Sequence, residues 1–159
     1  MLSKKATYAL KALLILAQEQ DKGPILIAEL AERDAMPKKF LEAILLELKH
    51  HGILQSKKGK GGGYFLGKNP HAITLGQVIR LIDGPLAPVP CVSETAYQRC
   101  EGCKDEATCG VRIVMKEVRD AIAAVLDGMS LSDALRDVNR AKTRQQRKRA
   151  SRRAAAHAA

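Results

Sequence analysis

The segment that most restricts this chain is Ser56-Lys57-Lys58-Gly59-Lys60-Gly61-Gly62-Gly63, flanked by the mostly apolar triplets Ile53-Leu54-Gln55 and Tyr64-Phe65-Leu66. Four glycines and three lysines in eight residues can neither carry a helix nor enter a core. The flanks are short and rich in β-formers, so the segment reads as the basic tip of a two-stranded hairpin. What precedes it is helical. Ser3 suits the N-cap of a helix over 3–19, whose Leu10, Leu13, Leu14 and Ala17 share one face, and Gly23-Pro24 stops it. A short helix over 27–34 turns Ile27, Leu30 and Ala31 inward, and Asp34-Ala35-Met36 makes a turn. Pro37 fits the first position of a third helix. That helix carries the stripe Phe40, Leu41, Ile44, Leu45 and Leu48, leaves Lys38, Lys39, Glu42 and Lys49 off it, and stops at Gly52.

Two short helices, a third opening at Pro37 and a basic hairpin follow the order of a winged helix-turn-helix. Its third helix keeps one face on the core and offers the other to a DNA major groove. Lys57, Lys58 and Lys60 would neutralise phosphates, and Gly61, Gly62 and Gly63 would let backbone approach them. A nucleotide cradle is the competing use of such a loop, but the ordered G-x-x-x-x-G-K-[ST] pattern is missing.

Charge supports a polyanionic partner once it is divided. The formal net charge is +10. Residues 1–71 contribute +5, residues 72–139 contribute −3, and residues 140–159 contribute +8 with no acidic residue at all. The tail (Arg140, Lys142, Arg144, Arg147, Lys148, Arg149, Arg152 and Arg153) has no aliphatic side chain larger than Ala, so it cannot build a core. It is expected to be disordered or transiently helical, either a solubilising tail or a non-specific attractor of DNA phosphates. No apolar run reaches the ~20 residues of a membrane span and the first residues lack a signal-peptide core, so a soluble, cytoplasmic protein is expected. Five aromatic residues in 159 argue against stacking on single strands.

After a fourth helix over 74–83, capped by Thr74 with Leu75, Val78, Ile79 and Ile82 inward, three prolines between 85 and 90 impose an extended path. Four cysteines follow within 19 residues, Cys91, Cys100, Cys103 and Cys109, spaced C-x8-C-x2-C-x5-C among polar neighbours. Buried structural cysteines would have apolar company, and disulfides do not suit a cytosolic chain. Zinc and an iron–sulfur cluster fit the spacing equally, and a thiol redox switch comes third. A longer helix over 111–126 places Val111, Met115, Val118, Ile122 and Val125 at steps of four and three, a coiled-coil-like seam suited to dimerisation. Ser130 caps a last short helix with Leu131, Ala134, Leu135 and Val138. No Ser-His-Asp set, histidine triad or carboxylate pair suggests an enzyme. His50 and His51 are explained by the C-terminus of the third helix.

Together, Tyr8-Ala9-Leu10-Lys11-Ala12-Leu13-Leu14, Ile27-Ala28-Glu29-Leu30-Ala31-Glu32, Phe40-Leu41-Glu42, Lys58-Gly59-Lys60-Gly61-Gly62-Gly63-Tyr64, Thr74-Leu75-Gly76-Gln77-Val78-Ile79 and the cysteine loop before a long helix make the chain resemble a known group. Over roughly residues 1–135 it resembles the Rrf family of bacterial winged-helix regulators, the group of IscR, NsrR and CymR. The resemblance implies a homodimeric repressor or activator, repressor preferred, that reads a palindromic operator in double-stranded DNA. It would use Lys38, Lys39, Phe40 and Glu42 of the third helix together with the hairpin. Glu42 falls where the iron–sulfur-sensing member discriminates promoter classes. The resemblance also tips the balance from zinc toward an iron–sulfur cluster, [2Fe-2S] before [4Fe-4S], sensing iron–sulfur or iron supply, nitric oxide or redox state. Departures exist. The sensing members show C-x5-C-x5-C, whereas Cys91 here lies twelve positions before Cys103 and Cys100 is additional. The histidine ligand three positions past the last cysteine is Arg112. Cys100 would replace it, or one of Cys91 and Cys100 would not be a ligand.

The expected architecture is therefore mainly α with a small β-hairpin wing. A winged helix-turn-helix domain spans 1–83, a cysteine-rich loop 84–110, a dimerisation helix and short helix 111–139, and a basic tail 140–159.

Overall fold

The computed structural model describes residues 2–157, with side chains described to residue 150. Six α-helices and one hairpin follow in the order α1 (Lys4–Gln18), α2 (Ile27–Arg33), α3 (Lys38–His50), β1 (Leu54–Lys57), β2 (Gly63–Leu66), α4 (Leu75–Asp83), α5 (Gly110–Asp127) and α6 (Leu131–His157). The mainly helical fold with a hairpin wing is the one the sequence implied.

The core gathers on α1. Ala6, Ala9 and Ala12 are fully buried, and their small side chains let neighbouring backbones come close, while Leu13 and Leu16 supply bulk. From α3 come Leu41, Ile44, Leu45 and Leu48, all fully buried. Ser3 caps α1 by accepting the Ala6 N–H at 3.0 Å, and its own N–H reaches Asp83 at the end of α4 at 2.8 Å. Between α2 and α3 the chain turns through Ala35, a non-glycine residue at φ +50°. Met36 N–H meets Ala31 C=O at 2.8 Å in the hydrogen-bonding pattern of a left-handed helix stop. Pro37 sits one position earlier than expected, as the N-cap, and its carbonyl accepts from Leu41 at 3.0 Å. Gly52 does stop α3, with Ile53 N–H reaching back to Leu48 C=O at 3.0 Å.

In the hairpin Leu54 pairs with Leu66 and Lys57 with Gly63, both strands running antiparallel. Ile25 joins as a one-residue third member, exchanging hydrogen bonds of 2.9 and 2.8 Å with Tyr64. Two glycines are constrained by the hairpin's own packing, Gly62 by the turn backbone and Gly63 by Ile25. Gly62 is buried and closes the turn onto Gly59 at 2.9 Å. Gly63, at φ +144°, lies so near the Ile25 carbonyl that a Cβ would overlap it. Both serve the geometry of the wing itself, leaving Gly61 as the exposed glycine of the three.

Thr74 caps α4 as expected, accepting the Gln77 N–H at 3.1 Å. At α6, Ser130 and Asp133 cap each other. Asp133 N–H donates to Ser130 Oγ at 3.1 Å, and Ser130 N–H donates to Asp133 Oδ2 at 3.1 Å. Leu131 is fully buried in the same core as Leu13 and Leu45, so the first turn of α6 belongs to the winged domain. No short helix followed by a disordered tail is found. α6 runs unbroken through His157, because Ala, Arg, Lys and Gln are strong helix formers and no Gly or Pro interrupts them. The side chains of Arg152 and Arg153 lie outside the described residues. No helix of the described residues is long and apolar enough to cross a membrane.

Replacing Gly63 by Ala should force apart the Ile25–Tyr64 exchange. A loss of about 1–3 kcal/mol in urea unfolding is expected, and an unchanged midpoint would show that the Ile25 contact does not hold the wing.

Candidate nucleic-acid interface and cysteine loop

Helix α3 is inward at Leu41, Ile44, Leu45 and Leu48 and exposed at Lys38, Lys39, Glu42, Ala43, Leu46 and Lys49. Phe40 departs from expectation. It is 41% exposed rather than part of the inward stripe, and it packs edge-on against Tyr8 with ring centroids 5.8 Å apart. It borders the outward face and stiffens it against α1. Leu46, 48% exposed, is hard to single out by sequence because a leucine beside two core leucines looks like core. Its place one turn beyond Glu42 and Ala43 on the helix wheel is the signal that finds it. An exposed apolar group among polar ones can meet a thymine methyl in the major groove.

Ion pairing separates the lysines into two classes. Lys5 is paired with Glu47 at 2.6 Å, Lys11 with Asp34 at 3.4 Å and Lys22 with Glu19 at 2.9 Å. Among the described residues Lys38, Lys39, Lys57, Lys58 and Lys60 are exposed without a carboxylate partner, as are Lys4, Lys49, Lys68 and Lys104, but these five are grouped at the start of the third helix and on the hairpin tip. Cations left unneutralised on one helix face and one hairpin tip are the arrangement a phosphate backbone can use.

The cysteine loop is knitted by its own polar groups. Arg99 donates to the Cys103 carbonyl at 3.0 Å, and Tyr97 Oη–H donates to Glu106 at 2.5 Å. Asp105 accepts from Ala107 N–H at 3.0 Å and Thr108 Oγ1–H at 2.9 Å, bonds that hold its carboxyl below the usual range. Cys91 is buried in a turn of 3-10 helix (Pro90–Val92). Cys100 and Cys103 are half-buried at the ends of a turn closed by Cys103 N–H to Cys100 C=O at 3.2 Å, and Cys109 is the N-cap residue of α5.

The neighbouring Cys100 thiol, and then burial, push the Cys91 thiol above its ordinary value, while Arg112 pulls it the other way. Burial, and then the charge and hydrogen bond of Cys109, push Cys103 up. All four thiols are free, so the donor chemistry suits a thiolate-bound metal or cluster. Yet among the described residues no three Cys, His, Asp or Glu side chains converge in a position to hold a metal ion. The four proposed ligands thus share a loop without forming one nest.

Helix α5 is two-faced. Its one buried residue is Arg119, which meets Glu94 of the loop at 2.8 Å and Asp120 at 2.5 Å. Its far end is tied to α4 by the two-pronged Arg80–Asp127 pair at 2.5 and 2.7 Å, which holds the Asp127 carboxyl low. The seam residues Val111, Val118, Ile122 and Val125 are exposed and Met115 is half-buried. Val114, 53% exposed and in step with Val111 and Val118, extends that face.

Residues 2–137 match the family model described as Rrf2, iron-dependent transcriptional regulator. An rrf2-like HTH-type transcriptional regulator of Rhodobacter capsulatus is 44% identical over 138 residues, covering 85% of this chain and 92% of that one. The HTH-type transcriptional regulator CymR of Bacillus subtilis is 33% identical, covering 83% and 87%. Among solved structures, CymR, the global cysteine regulator of B. subtilis, superposes with a TM-score of 0.71 at 31% identity, over 85% of this chain and 95% of that one. IscR of T. potens gives a TM-score of 0.71 at 28% identity over 89% and 90%.

Changing Lys57, Lys58 and Lys60 together to Ala should weaken binding to specific and mixed-sequence duplexes alike. The dependence of log affinity on log salt should flatten by about 0.9 for each phosphate no longer neutralised. An unchanged slope in a fluorescence-anisotropy titration would remove the wing from the interface.

Proposed function

Because the chain belongs to the Rrf2 family, and so is a DNA-binding transcriptional regulator and not an enzyme, we propose that it acts as a homodimeric repressor. Its binding to a palindromic operator would be set by the cysteine loop charged with an iron–sulfur cluster. One observation carries the reading. The same helix, α5, is strapped to the cysteine loop through Arg119 and Glu94 and leaves an apolar seam bare on another face. A second copy of the chain would cover Val111, Val114, Val118, Ile122 and Val125. Lys38, Lys39, Glu42 and Leu46 would then enter the major groove, with Phe40 at their edge and the wing lysines on phosphates. In the dimer the two α3 helices should stand about one duplex turn, ~34 Å, apart.

The linkage from loop to DNA runs through named pairs. Glu94–Arg119 joins the loop to α5, Asp127–Arg80 joins α5 to α4, and Asp83 holds the start of α1 through Ser3. A shift in loop shape therefore biases how the winged domain stands relative to the seam, a change of population between two arrangements. Cys91, Cys100, Cys103 and Cys109 are the residues that would hold the cluster, and a bound cluster would supply a charge that changes with iron, nitric oxide or redox state. A second reading, a regulator with zinc-stabilised or thiol-switch cysteines and no cluster, draws on the Cys100-x2-Cys103 spacing, whose turn is closed by Cys103 N–H to Cys100 C=O at 3.2 Å.

Anaerobically purified protein should show visible absorption with iron and acid-labile sulfide. Colourless protein holding zinc or no metal would overturn the cluster and leave the DNA reading standing. Val118→Glu should shift the chain to monomer in light scattering, weakening association about a hundredfold or more if an unpaired charge buried at the seam costs roughly 3–5 kcal/mol. A stable dimer in that variant would place the interface elsewhere.

A further inference from the structure

Helix α6 outruns everything it packs on. Leu131 is fully buried and Leu135 touches the core, yet each residue from Arg136 to Ala150 is exposed. Seven of those fifteen residues are Arg or Lys, and the last acidic residue of the chain is Asp137. Arg136 and Arg140 each have a carboxylate one turn back, Asp133 at 2.6 Å and Asp137 at 3.6 Å. Lys142, Arg144, Arg147, Lys148 and Arg149 have none among the described residues.

Two features give this helix a direction and a face. Its first turn is fixed to the winged domain by the Ser130–Asp133 reciprocal cap and by Leu131 N–H to Ile73 C=O at 2.9 Å. Arg140, Arg144 and Arg147, at steps of four and three, line one exposed side of the helix. Like charges one turn apart repel and work against the helix, so a ligand that neutralises them is favoured over bare solvent. Beyond Val138 the helix has no aliphatic side chain larger than Ala, hence no face to sink into a lipid interface or a partner's apolar groove. It has no Phe, Tyr or Trp on which a single-stranded base could stack. A partner must offer negative charge, regularly spaced, and no apolar pocket. Duplex DNA held by the same chain meets that description and is present at high effective concentration.

We propose that α6 from Arg136 onward is a second DNA-contact element, setting Arg140, Arg144 and Arg147 against the phosphates of duplex beyond the operator as a helix of fixed direction. The proposal rests on the reading that the winged domain binds DNA. Residues 136–157 span about 33 Å as a helix, the length of about ten base pairs at ~3.4 Å each.

The test uses the full chain and duplexes it enriches from a random pool, rebuilt with flanks of about two or about fifteen base pairs. Wild-type protein should bind the long-flank probe at least about tenfold more tightly. R140Q/R144Q/R147Q should erase that advantage and lower the salt slope by about 2.7 per protomer. N139P, which leaves every charge in place but breaks the helix, should also erase it. Equal binding of both probes by wild-type protein overturns the proposal. So does an N139P variant that keeps the full advantage, since a loose polycation would then suffice. So does a triple variant that loses binding to anionic phospholipid vesicles while keeping its preference for long flanks. Failure to enrich any duplex overturns the DNA reading itself, and this inference falls with it.

Discussion

The point on which the architecture closes is a short clasp between residues 73–75 and 129–131. Leu75 N–H meets Met129 C=O and Leu131 N–H meets Ile73 C=O, each at 2.9 Å, with Thr74 and Ser130 bridged between them. Ile73 and Leu131 are both fully buried beside it. Residues 76–128, which hold the rest of α4, the cysteine loop and α5, leave and return at this place, and α4 packs back into the core through Val78. Two backbone hydrogen bonds shielded by two buried side chains are a firm anchor, since opening them would strand polar groups in an apolar core. A movement of the cysteine loop can reach the winged domain through this clasp, through the Arg80–Asp127 tie alongside it and through α4, whose Val78 lies in the core and whose Asp83 holds Ser3.

Arg119 shows how the excursion can be both tethered and responsive. A guanidinium only 9% exposed is tolerated because Glu94 and Asp120 neutralise it, although its Nε has no partner. Removing one member of such a set leaves a buried charge uncompensated, whereas replacing the whole set by apolar groups is often neutral. The ion pair is therefore a poor device for stability and a good one for coupling. It ties the loop to α5 through a contact that the position of Glu94, an exposed loop residue, can make or break. A leucine in place of Arg119 would hold α5 to the body without reporting on the loop.

Much of this was readable from the chain. The helices of the winged domain announce themselves by apolar period, and Ser3, Gly52, Thr74 and Ser130 mark boundaries that the structure keeps, because capping chemistry is local. What stayed hidden depends on tertiary neighbours. Phe40 lies in the apolar stripe on the wheel, yet Leu41 and Ile44 already fill the core beneath that end of α3, so the ring turns to Tyr8. The close approach of Ile25, distant in sequence, to Gly63 is likewise not visible in the chain. Arg119 reads as a solvated charge in a helix of alternating polarity.

The continuity of α6 was hidden for a different reason. Apolar periodicity reveals a helix by the face it buries, and residues 140–157 have no such face, so the segment carries the pattern of a disordered tail. Helix propensity does not need a buried face when a folded nucleus already supplies the first turn, since the costly step of helix formation is nucleation. Ser130, Asp133 and Leu131 make that nucleus, and Ala, Arg, Lys and Gln extend it. The same sequence detached from Leu131 would lose the nucleus and bear the full cost of starting a helix among like charges. The order of the basic segment is thus a property of the winged domain it grows from, and its direction is inherited from that domain's core.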